Sequence, residues 1–310
     1  MRVINFGSLN FDHFYEVEHF VRPGETITAD KYHLLCGGKG LNQSIALAHA
    51  GAKVFHAGKI GRDGQLLVAR LKTAGVDTTH IDVAESEPSG HAVIQVDKNG
   101  QNSIIIHGGA NRAVRKEDVK RVLDHFAPGD CLLLQNEISS ISEIIDQAKK
   151  QGLTIFLNPA PMDKKVPGYP LDKVDYFIIN DIEGGELTGE AEPEAIIKAM
   201  LSRFPRSATI LTLGQKGAIY ADQQTKISVP AEKVIPVDTT AAGDTFIGYF
   251  IAQKIKGQPV ENCLSMASRA AAICVTRRGA ADSIPLKDEV ADGEFDSVAA
   301  GSDDRLGKHI

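Results

Sequence analysis

The feature that most constrains the fold is a repeated alternation of short apolar runs with helical segments. The apolar runs predict strands at residues 3–6, 53–57, 131–134, 154–157, 176–179 and 209–213. The helical pattern predicts helices at residues 65–74, 115–126, 141–150, 246–255 and 260–275. The apolar runs lack the in–out alternation of a half-exposed strand, which is typical of a parallel sheet covered on both faces. The sequence therefore predicts an α/β fold with a mostly parallel central sheet.

Two β-rich segments interrupt this alternation, at about residues 12–34 and 89–108. In the first, β-leaning residues at 14–17 and 26–28 flank a Pro-Gly break. In the second, residues 97–100 read Asp-Lys-Asn-Gly, a hairpin signal between two strand-like runs. We expect a small sheet outside the main one, serving either as a lid over a site or as a dimer surface.

The chain shows no clear linker, and we expect a single domain over residues 1–310 with the two lid segments inserted. Its end, about residues 297–310, is polar and rich in small residues, and we expect it to be poorly ordered.

Polar or glycine residues repeatedly follow the predicted strands. Because the carboxyl ends of parallel strands share one edge of a sheet, we expect these residues to converge on a single rim. They are Asn10, Asp12, Glu137, Asn158, Asn180, Glu183 and Gly214.

A glycine-rich stretch, Gly37-Gly38-Lys39-Gly40, leads into an Ala/Leu-rich helix. Glycine before a helix lets a ligand approach bare backbone N–H groups, although close packing explains the same pattern. Lys39 and Asn42 are three residues apart and would share one face of the first turn. The stretch matches neither GxxxxGK[ST] nor GxGxxG, the two common nucleotide-binding patterns.

A second helix start, from Thr239 to Gly243, carries only small side chains and is followed by Asp244. The first N–H groups of a helix lack intrahelical partners, so an anion can bind there. A carboxylate beside an anion site is suited to removing a proton from an attacking hydroxyl. The alternative is that Asp238 or Asp244 simply caps the helix.

Composition argues against several classes of partner. The formal net charge is −6 and no Lys/Arg cluster occurs, which argues against nucleic acid and anionic membranes. No apolar run approaches the ~18 residues of a membrane span, and the N-terminus looks like a strand rather than a signal peptide. The four cysteines are far apart and predict free thiols in a reducing cytoplasm. The ten histidines form no metal-binding pattern.

Together, residues 37–43 and 238–246 resemble the two signatures of the ribokinase family, the phosphofructokinase-B-type sugar kinases. The resemblance runs from residue 3 to about residue 290, through Gly7–Asp12, Pro23–Thr26, Asn158–Pro161 and Leu187–Gly189. It implies a three-layer α/β/α fold with a small β-sheet lid and a homodimer formed through the lids. It also implies ATP-dependent phosphorylation of a pentose, with Mg²⁺ required and K⁺ as an activator.

The Asn10/Asp12 pair and the Thr-Ala-Ala form of the second signature are most similar to members that phosphorylate the 5-hydroxyl of D-ribose. Two alternatives stay open: a kinase of the same fold for deoxyribose, fructose or a nucleoside such as adenosine, and a non-catalytic sugar- or nucleotide-sensing protein. A sugar site rich in carboxylates favours a neutral polyol over a sugar phosphate, because no arginine is placed to pair with a substrate phosphate.

The resemblance also implies roles for individual residues. Asp244 would be the general base, and the backbone N–H groups of Ala241, Ala242, Gly243 and Asp244 would form the anion hole. The sugar would be held by Asn10, Asp12, Gly38, Lys39, Asn42, Glu137 and Asp244. ATP would contact Asn180, Thr212, Gly214, Lys216, Gly217, Gly243 and Ser268, with Glu183 near Mg²⁺ and its waters. K⁺ would lie in a loop matching Asp238, Thr240, Cys274, Arg277, Gly279 and Ser283.

Overall fold

The computed structural model describes residues 1–292, and the predicted tail at 297–310 lies outside this range. Its strands are β1 (Val3–Phe6), β2 (Asn10–Glu16), β3 (Lys31–Gly37), β4 (Val54–Ile60), β5 (Asp77–Val83), β6 (Gly90–Val96), β7 (Asn102–His107), β8 (Cys131–Gln135), β9 (Thr154–Asn158), β10 (Tyr176–Asn180), β11 (Ala208–Thr212), β12 (Ala218–Ala221) and β13 (Lys226–Val229). Its α-helices are α1 (Lys39–His49), α2 (Gln65–Thr73), α3 (Lys116–Leu123), α4 (Ile141–Lys150), α5 (Asp181–Thr188), α6 (Pro193–Arg203), α7 (Ala242–Ile255), α8 (Val260–Val275) and α9 (Lys287–Asp292).

Within residues 1–292 the main sheet has nine strands, in the order β13-β12-β11-β10-β9-β8-β1-β4-β5. The seven strands from β11 to β5 pair in parallel, and β12 and β13 add antiparallel pairings at one edge. This confirms the mostly parallel α/β sheet expected from the apolar runs. The β12–β13 hairpin and β5 were not predicted.

Helices cover both faces of this sheet, because its strands are apolar on both sides. Val3 and Leu133 belong to one buried cluster, which also contains residues of α1, α2, α7 and α8. Ile4 and Leu132, their neighbours in the chain, belong to a second cluster with residues of α3, α4, α5 and α6. Successive strand residues therefore face opposite layers of one three-layer fold.

A separate four-stranded sheet has the order β3-β2-β6-β7. The predicted hairpin at residues 97–100 is confirmed, since β6 and β7 pair antiparallel around it. The β-leaning residues 26–28 do not form a strand, and β3 lies further along the chain at Lys31–Gly37. Strand β3 continues directly into Gly38 and α1, so pairing with β2 aligns the small sheet with the glycine-rich helix start.

The four cysteines are free thiols, three of them buried and Cys36 half-buried. None of the described helices combines the length and apolarity needed to cross a bilayer.

Candidate active site

The first glycine-rich helix start packs directly against Ser8, which follows β1. Gly40 donates its N–H to Ser8 Oγ at 3.1 Å and Leu41 donates its own to the Ser8 carbonyl at 2.9 Å. A Cβ on Gly40 would lie 2.2 Å from the backbone nitrogen of Ser8, so only glycine fits this contact. The close packing alternative therefore applies to Gly40, while the same contact brings Lys39 and Asn42 to the rim of the sheet.

The second helix start presents bare backbone to solvent. Ala241 has a left-handed conformation with φ of 60°, which turns the chain sharply into α7. Gly243 is exposed and a Cβ on it would meet no atom within 4 Å. Because Gly243 and Asp244 lie in the first turn, their N–H groups have no intrahelical acceptor and can face an anion.

Two details of this helix start differ from expectation. The Ala242 N–H donates to the Thr239 carbonyl at 3.3 Å, so one of the four predicted anion-hole donors is already engaged. Within residues 1–292 no side chain caps α7, which argues against the capping alternative for Asp244.

Asp244 is buried, with 7% of its surface exposed, where α7 crosses α1. Its Oδ1 accepts a hydrogen bond from Gln43 Nε2 at 2.8 Å, and its Oδ2 accepts one from Asn42 Nδ2 at 3.1 Å. Hydrogen bonds to both oxygens fix the orientation of this carboxyl group. The structure thus presents an oriented acid beside an exposed helix start.

The residues expected at a sugar surround Asp244 on the side of the small sheet. The Lys39 N–H donates to Glu137 Oε2 at 3.0 Å, and the Ser8 hydroxyl donates to the same oxygen. A Cβ on Gly38 would lie 3.3 Å from Asn10 Cγ, which places the Asn10 side chain beside this turn. Lys39 interacts electrostatically with Asp244, and Glu137 does so with Asp12. These contacts and the Asn42 hydrogen bond link the seven residues Asn10, Asp12, Gly38, Lys39, Asn42, Glu137 and Asp244.

The ionisable side chains in this cluster change one another's pKa values. Asp244, and then Glu137 and Glu183, raise the pKa of Lys39, so its ammonium group stays charged. Burial is the main reason that the pKa of Glu137 is raised, with Lys39 and Ser8 acting against it. Burial and the nearby Glu137 raise the pKa of Asp12 to about 7. The cluster therefore combines one cation with several carboxylates.

A cleft of about 300 Å³ opens on the other side of Gly243. It is walled by apolar side chains and by glycine backbone, as is common for small-molecule sites. Of the predicted nucleotide contacts it is lined by Thr212, Gly214, Gly217, Gly243 and Ser268. Lys216 is exposed and Asn180 lies in register with Thr212 on the next strand, and neither lines the cleft.

Glu183 lies in the first turn of α5 and interacts electrostatically with Lys39 and Asp244. Asn180 Oδ1 accepts from the Glu183 N–H at 2.8 Å while Glu183 Oε2 accepts from the Asn180 N–H at 3.0 Å, forming a capping box at the start of α5. Glu183 Oε1 also accepts from Asn180 Nδ2 at 3.1 Å. Burial raises the pKa of this carboxyl, with the Asn180 hydrogen bond and Lys39 acting in the opposite direction.

The residues of the predicted cation loop contact one another next to the start of α7. Asp238 Oδ1 accepts from the Thr240 N–H at 2.9 Å, and its Oδ2 accepts from the Gly279 N–H at 3.0 Å. Cys274 Sγ lies 3.1 Å from Ser283 Oγ and 3.7 Å from the Thr240 carbonyl. Arg277 instead directs its guanidinium toward Glu289 at 2.5 Å. The two loop segments, 238–240 and 274–283, therefore meet through Asp238 and Cys274.

Several buried polar residues at the site received no role from sequence reasoning. Asn111 donates to Asn10 Oδ1 at 2.7 Å and to the Leu9 carbonyl at 3.3 Å, and it accepts from the Leu9 N–H at 3.0 Å. Gln43, Gln135 and Asn5 form a buried chain that reaches Asp244. Gln43 and Ser44 directly follow the predicted sugar residue Asn42 and are buried as it is, which no helical periodicity predicts. Their only signal is their position directly after a glycine-rich helix start.

The fold and the site define a class, an α/β enzyme whose oriented acid and bare helix start separate a polar cluster from an apolar cleft. Comparison with known proteins gives the family. Residues 2–287 match the model of the pfkB family carbohydrate kinases. The chain is 36% identical over 291 residues to a ribokinase of Haemophilus influenzae, covering 91% of this chain and 95% of that one. It is 32% identical over 277 residues to a deoxyribokinase of Salmonella typhi, covering 85% of this chain and 89% of that one.

Among solved structures, Arabidopsis thaliana ribokinase complexed with ribose and ATP superposes with a TM-score of 0.86 and 34% identity. The match covers 94% of this chain and 97% of the Arabidopsis chain. The protein belongs to the pfkB family of carbohydrate kinases, which confirms the family resemblance drawn from the two glycine-containing stretches.

Proposed function

We propose that the protein is an ATP-dependent kinase that phosphorylates the 5-hydroxyl of D-ribose to give ribose 5-phosphate. The observation that carries this proposal is the position of Asp244. It is buried and hydrogen-bonded between the polar cluster and the cleft, and the bare backbone of Gly243 lies beside it. A base and an anion site in contact are what transfer of a phosphoryl group to a hydroxyl requires.

The polar cluster supports a neutral sugar as the acceptor. Asp12 and Glu137 supply carboxylate acceptors for hydroxyl groups, and Lys39 supplies a donor. Asn42 Oδ1 is buried without a hydrogen-bond partner among the described residues, which leaves it available to a sugar hydroxyl. Asp244 then removes the proton of the terminal hydroxyl as the oxygen attacks the γ-phosphorus of ATP.

The anion hole stabilises charge on the transferring phosphoryl group. The N–H groups of Gly243 and Asp244 are oriented before the reaction, so no reorganisation is needed as charge develops. Ala241 takes part as well, whereas the Ala242 N–H is shared with the Thr239 carbonyl. We assign the cleft to ATP, with the glycines of residues 214–217 beside its phosphates and Ser268 on the opposite wall.

Magnesium fits the site as an ion held mainly by ATP and water. No group of three or more acidic, histidine or cysteine side chains in residues 1–292 could hold a metal by itself. Glu183 has its oxygens engaged by Asn180, so it would act on Mg²⁺ through a water molecule. When bound, the ion neutralises charge on the phosphates.

A potassium ion fits the loop of residues 238–240 and 274–283. The carboxylate of Asp238, the Ser283 hydroxyl and backbone carbonyls are hard oxygen donors suited to such a cation. Burial raises the pKa of the Cys274 thiol, so this side chain is neutral and we assign its backbone to the cation set with those of Thr240, Arg277 and Gly279.

We further propose a cytoplasmic homodimer formed through the small sheets, which act as lids over the sugar. Every residue of the edge strand β7 is exposed, including Ile104, Ile105 and Ile106. An unpaired apolar edge strand is suited to cover by a second copy. The four free thiols support the reducing cytoplasm as the location.

A second candidate is a kinase for 2-deoxyribose, favoured by the 32% identity to a deoxyribokinase. Rates of ADP formation with ribose, deoxyribose, fructose and adenosine, under Mg²⁺ and K⁺, decide between these functions. The highest kcat/KM with ribose supports the first proposal and the highest with deoxyribose supports the second. Sugar binding with no ADP formed from any acceptor would overturn both.

A further inference from the structure

A chain of buried side chains runs from Asp244 through the centre of the fold to His56. Gln43 Nε2 donates to Asp244 Oδ1 at 2.8 Å, and Gln43 Oε1 accepts from Gln135 Nε2 at 2.6 Å. Gln135 Nε2 also donates to Asn5 Oδ1 at 3.0 Å. The chain then continues through Asn5 Nδ2 to Ser44 Oγ and through Ser44 Oγ to His56 Nδ1, each at 2.8 Å.

All the side chains of this hydrogen-bonded series are buried. Asn5, Gln43, Ser44 and His56 have none of their surface exposed and Gln135 has 1%. Hydrogen bonds in such an environment are strong, and an amide turned the wrong way is correspondingly costly.

Two backbone carbonyls fix the direction of every hydrogen bond in the chain. Asn5 Nδ2 donates to the Gly40 carbonyl at 2.8 Å, and a carbonyl can only accept. His56 Nε2 lies 3.2 Å from the Gly7 carbonyl, so this nitrogen carries the proton and Nδ1 accepts from the Ser44 hydroxyl. Burial lowers the pKa of His56 to about 4, so the ring remains neutral and keeps that tautomer near neutral pH.

This direction determines which end of Gln43 meets Asp244. Asn5 must present its oxygen to Gln135, and Gln135 must therefore present its nitrogen to both Asn5 and Gln43. Gln43 consequently turns its oxygen toward Gln135 and its N–H toward the carboxylate. If the amide of Gln43 were reversed, its carbonyl oxygen would face Asp244 and would disfavour the charged base.

We propose that Gln43 and Gln135 are positioning residues, which act through the buried chain to hold Asp244 as an oriented, deprotonated base. This inference rests on the function proposed above, since it assumes that Asp244 removes the proton. Neither glutamine needs to touch the sugar or the nucleotide for this role.

Other charged and titratable groups also act on Asp244 and must be left unchanged in a test. Lys39 on α1 interacts with it electrostatically, as do Glu137 after β8, Glu183 on α5 and Cys274 on α8. Gln43 Nε2 also lies 3.3 Å from Asn158 Oδ1, which supports the same orientation of its amide.

The decisive measurement is the pH dependence of kcat for Gln135→Met in the full-length protein. Methionine keeps the length of the side chain but removes the donor that fixes Gln43. We expect the acidic limb of the kcat profile to move up by about one pH unit. We also expect kcat at pH 6 to fall on the order of tenfold or more, while the KM values for sugar and ATP stay unchanged. Gln43→Met, which removes the direct donor, is expected to shift the limb in the same direction and at least as far.

Asn136→Leu is the matched control. Asn136 is a buried amide next to Gln135, but it does not belong to the hydrogen-bonded series from Asp244 to His56. It donates to the Pro161 carbonyl at 2.7 Å and accepts from the Tyr169 hydroxyl at 2.7 Å. We expect this variant to lower Tm without shifting the acidic limb of the pH profile of kcat. An unchanged limb in both Gln135→Met and Gln43→Met, or an equal shift in Asn136→Leu, would overturn the proposal. Activity that survives Asp244→Asn would instead overturn the function on which it rests.

Discussion

Gly248 of α7 packs against Ala46 of α1 so closely that no side chain fits between the two helices. A Cβ on Gly248 would lie 2.4 Å from Ala46 Cβ and 2.7 Å from the backbone nitrogen of Leu47. The two helices carry Asp244 and its amide partners, so this contact sets the distance between Asp244 and both Asn42 and Gln43.

Gly248→Ala is therefore expected to weaken both stability and catalysis. Forcing an extra methyl into a tight interface costs about 1–3 kcal/mol of unfolding free energy, and the helices would separate to accommodate it. We expect a lower Tm and a lower kcat, measured by thermal unfolding and by ADP formation. Adding Ala46→Gly removes the shortest of the three close contacts and should restore part of the lost stability and activity. A double variant no better than Gly248→Ala would contradict this account.

Gly243→Ala is expected to raise stability and to lower activity. A Cβ at Gly243 has no atom within 4 Å, and replacing a helical glycine with alanine typically stabilises by about 0.5–1 kcal/mol. In the proposed mechanism the same methyl would stand where the transferring phosphoryl group approaches the backbone. We expect a higher Tm together with a lower kcat.

Gly168→Ala provides the comparison for this variant. Among the described residues Gly168 also has no atom within 4 Å of its Cβ position, and it lies in a short 3₁₀ turn that contains none of the predicted site residues. It should leave kcat unchanged. Equal activity in the two variants would exclude close approach of a ligand to Gly243.

Local pattern was enough to predict most of the main sheet and the position of the two helix starts. Val3–Phe6 is apolar on both faces and α8 lies at Val260–Val275, as its composition indicates. Strand β5, Asp77–Val83, was missed because its mixed polar residues sit at the edge of the sheet, where only part of each face is covered. Residues 26–28 have β propensity but no neighbouring strand to pair with, and pairing rather than propensity decides strand formation.

Some residues of the site could likewise be predicted from local sequence, and others could not. Asp244 and Lys39 could be selected from the sequence because each stands at a glycine-rich helix start. The partners of Asp244 could not, because Gln43 and Gln135 are 92 residues apart and meet only when α1 packs over β8. The engagement of the Ala242 N–H by Thr239 likewise depends on the left-handed backbone of Ala241.

Asp12 should make both stability and sugar binding depend on pH. Its pKa is about 7 in the fold, above the ~3.9 of an unfolded chain. The folded state therefore binds this proton more tightly, so the stability it contributes is present below about pH 4 and is lost as pH rises through 7. Asp12→Asn removes the cost of the buried charge and should raise the free energy of unfolding at pH 8 by on the order of 2 kcal/mol after allowance for partial exposure, and Tm should rise with it.

The same substitution should weaken sugar binding, because it replaces a carboxylate acceptor with a neutral amide. The KM for sugar should rise, and in the unsubstituted protein it should also rise as pH falls below 7. These effects are measured by unfolding at pH 5 and pH 8 and by sugar titration at both. A KM that is constant across this range would exclude Asp12 as an ionised acceptor.

The exposed edge of the small sheet predicts a change of oligomeric state. Ile104 and Ile106 are 50% and 58% exposed and lie on the same face of β7. Ile104→Glu combined with Ile106→Glu should prevent association through this edge, because two charges would be buried against a partner. Light scattering after size exclusion should show a dimer for the unsubstituted protein and a monomer for the variant. A matched pair of changes at exposed residues of α6, Glu194→Gln and Lys198→Gln, should leave the dimer intact.

Asp244→Asn is expected to abolish turnover and leave the fold intact. The new amide keeps an oxygen that can accept from Gln43 but places N–H groups toward Asn42. Asn42 Oδ1 has no partner in the described part of the chain, so its amide can turn and accept from the new group. The loss of unfolding free energy should therefore stay near 1 kcal/mol. Removing the base should lower kcat by about 10²–10⁴-fold. Calorimetric titration should show that sugar and ATP still bind. Near-normal ADP formation by this variant would contradict the assignment of Asp244 as the base.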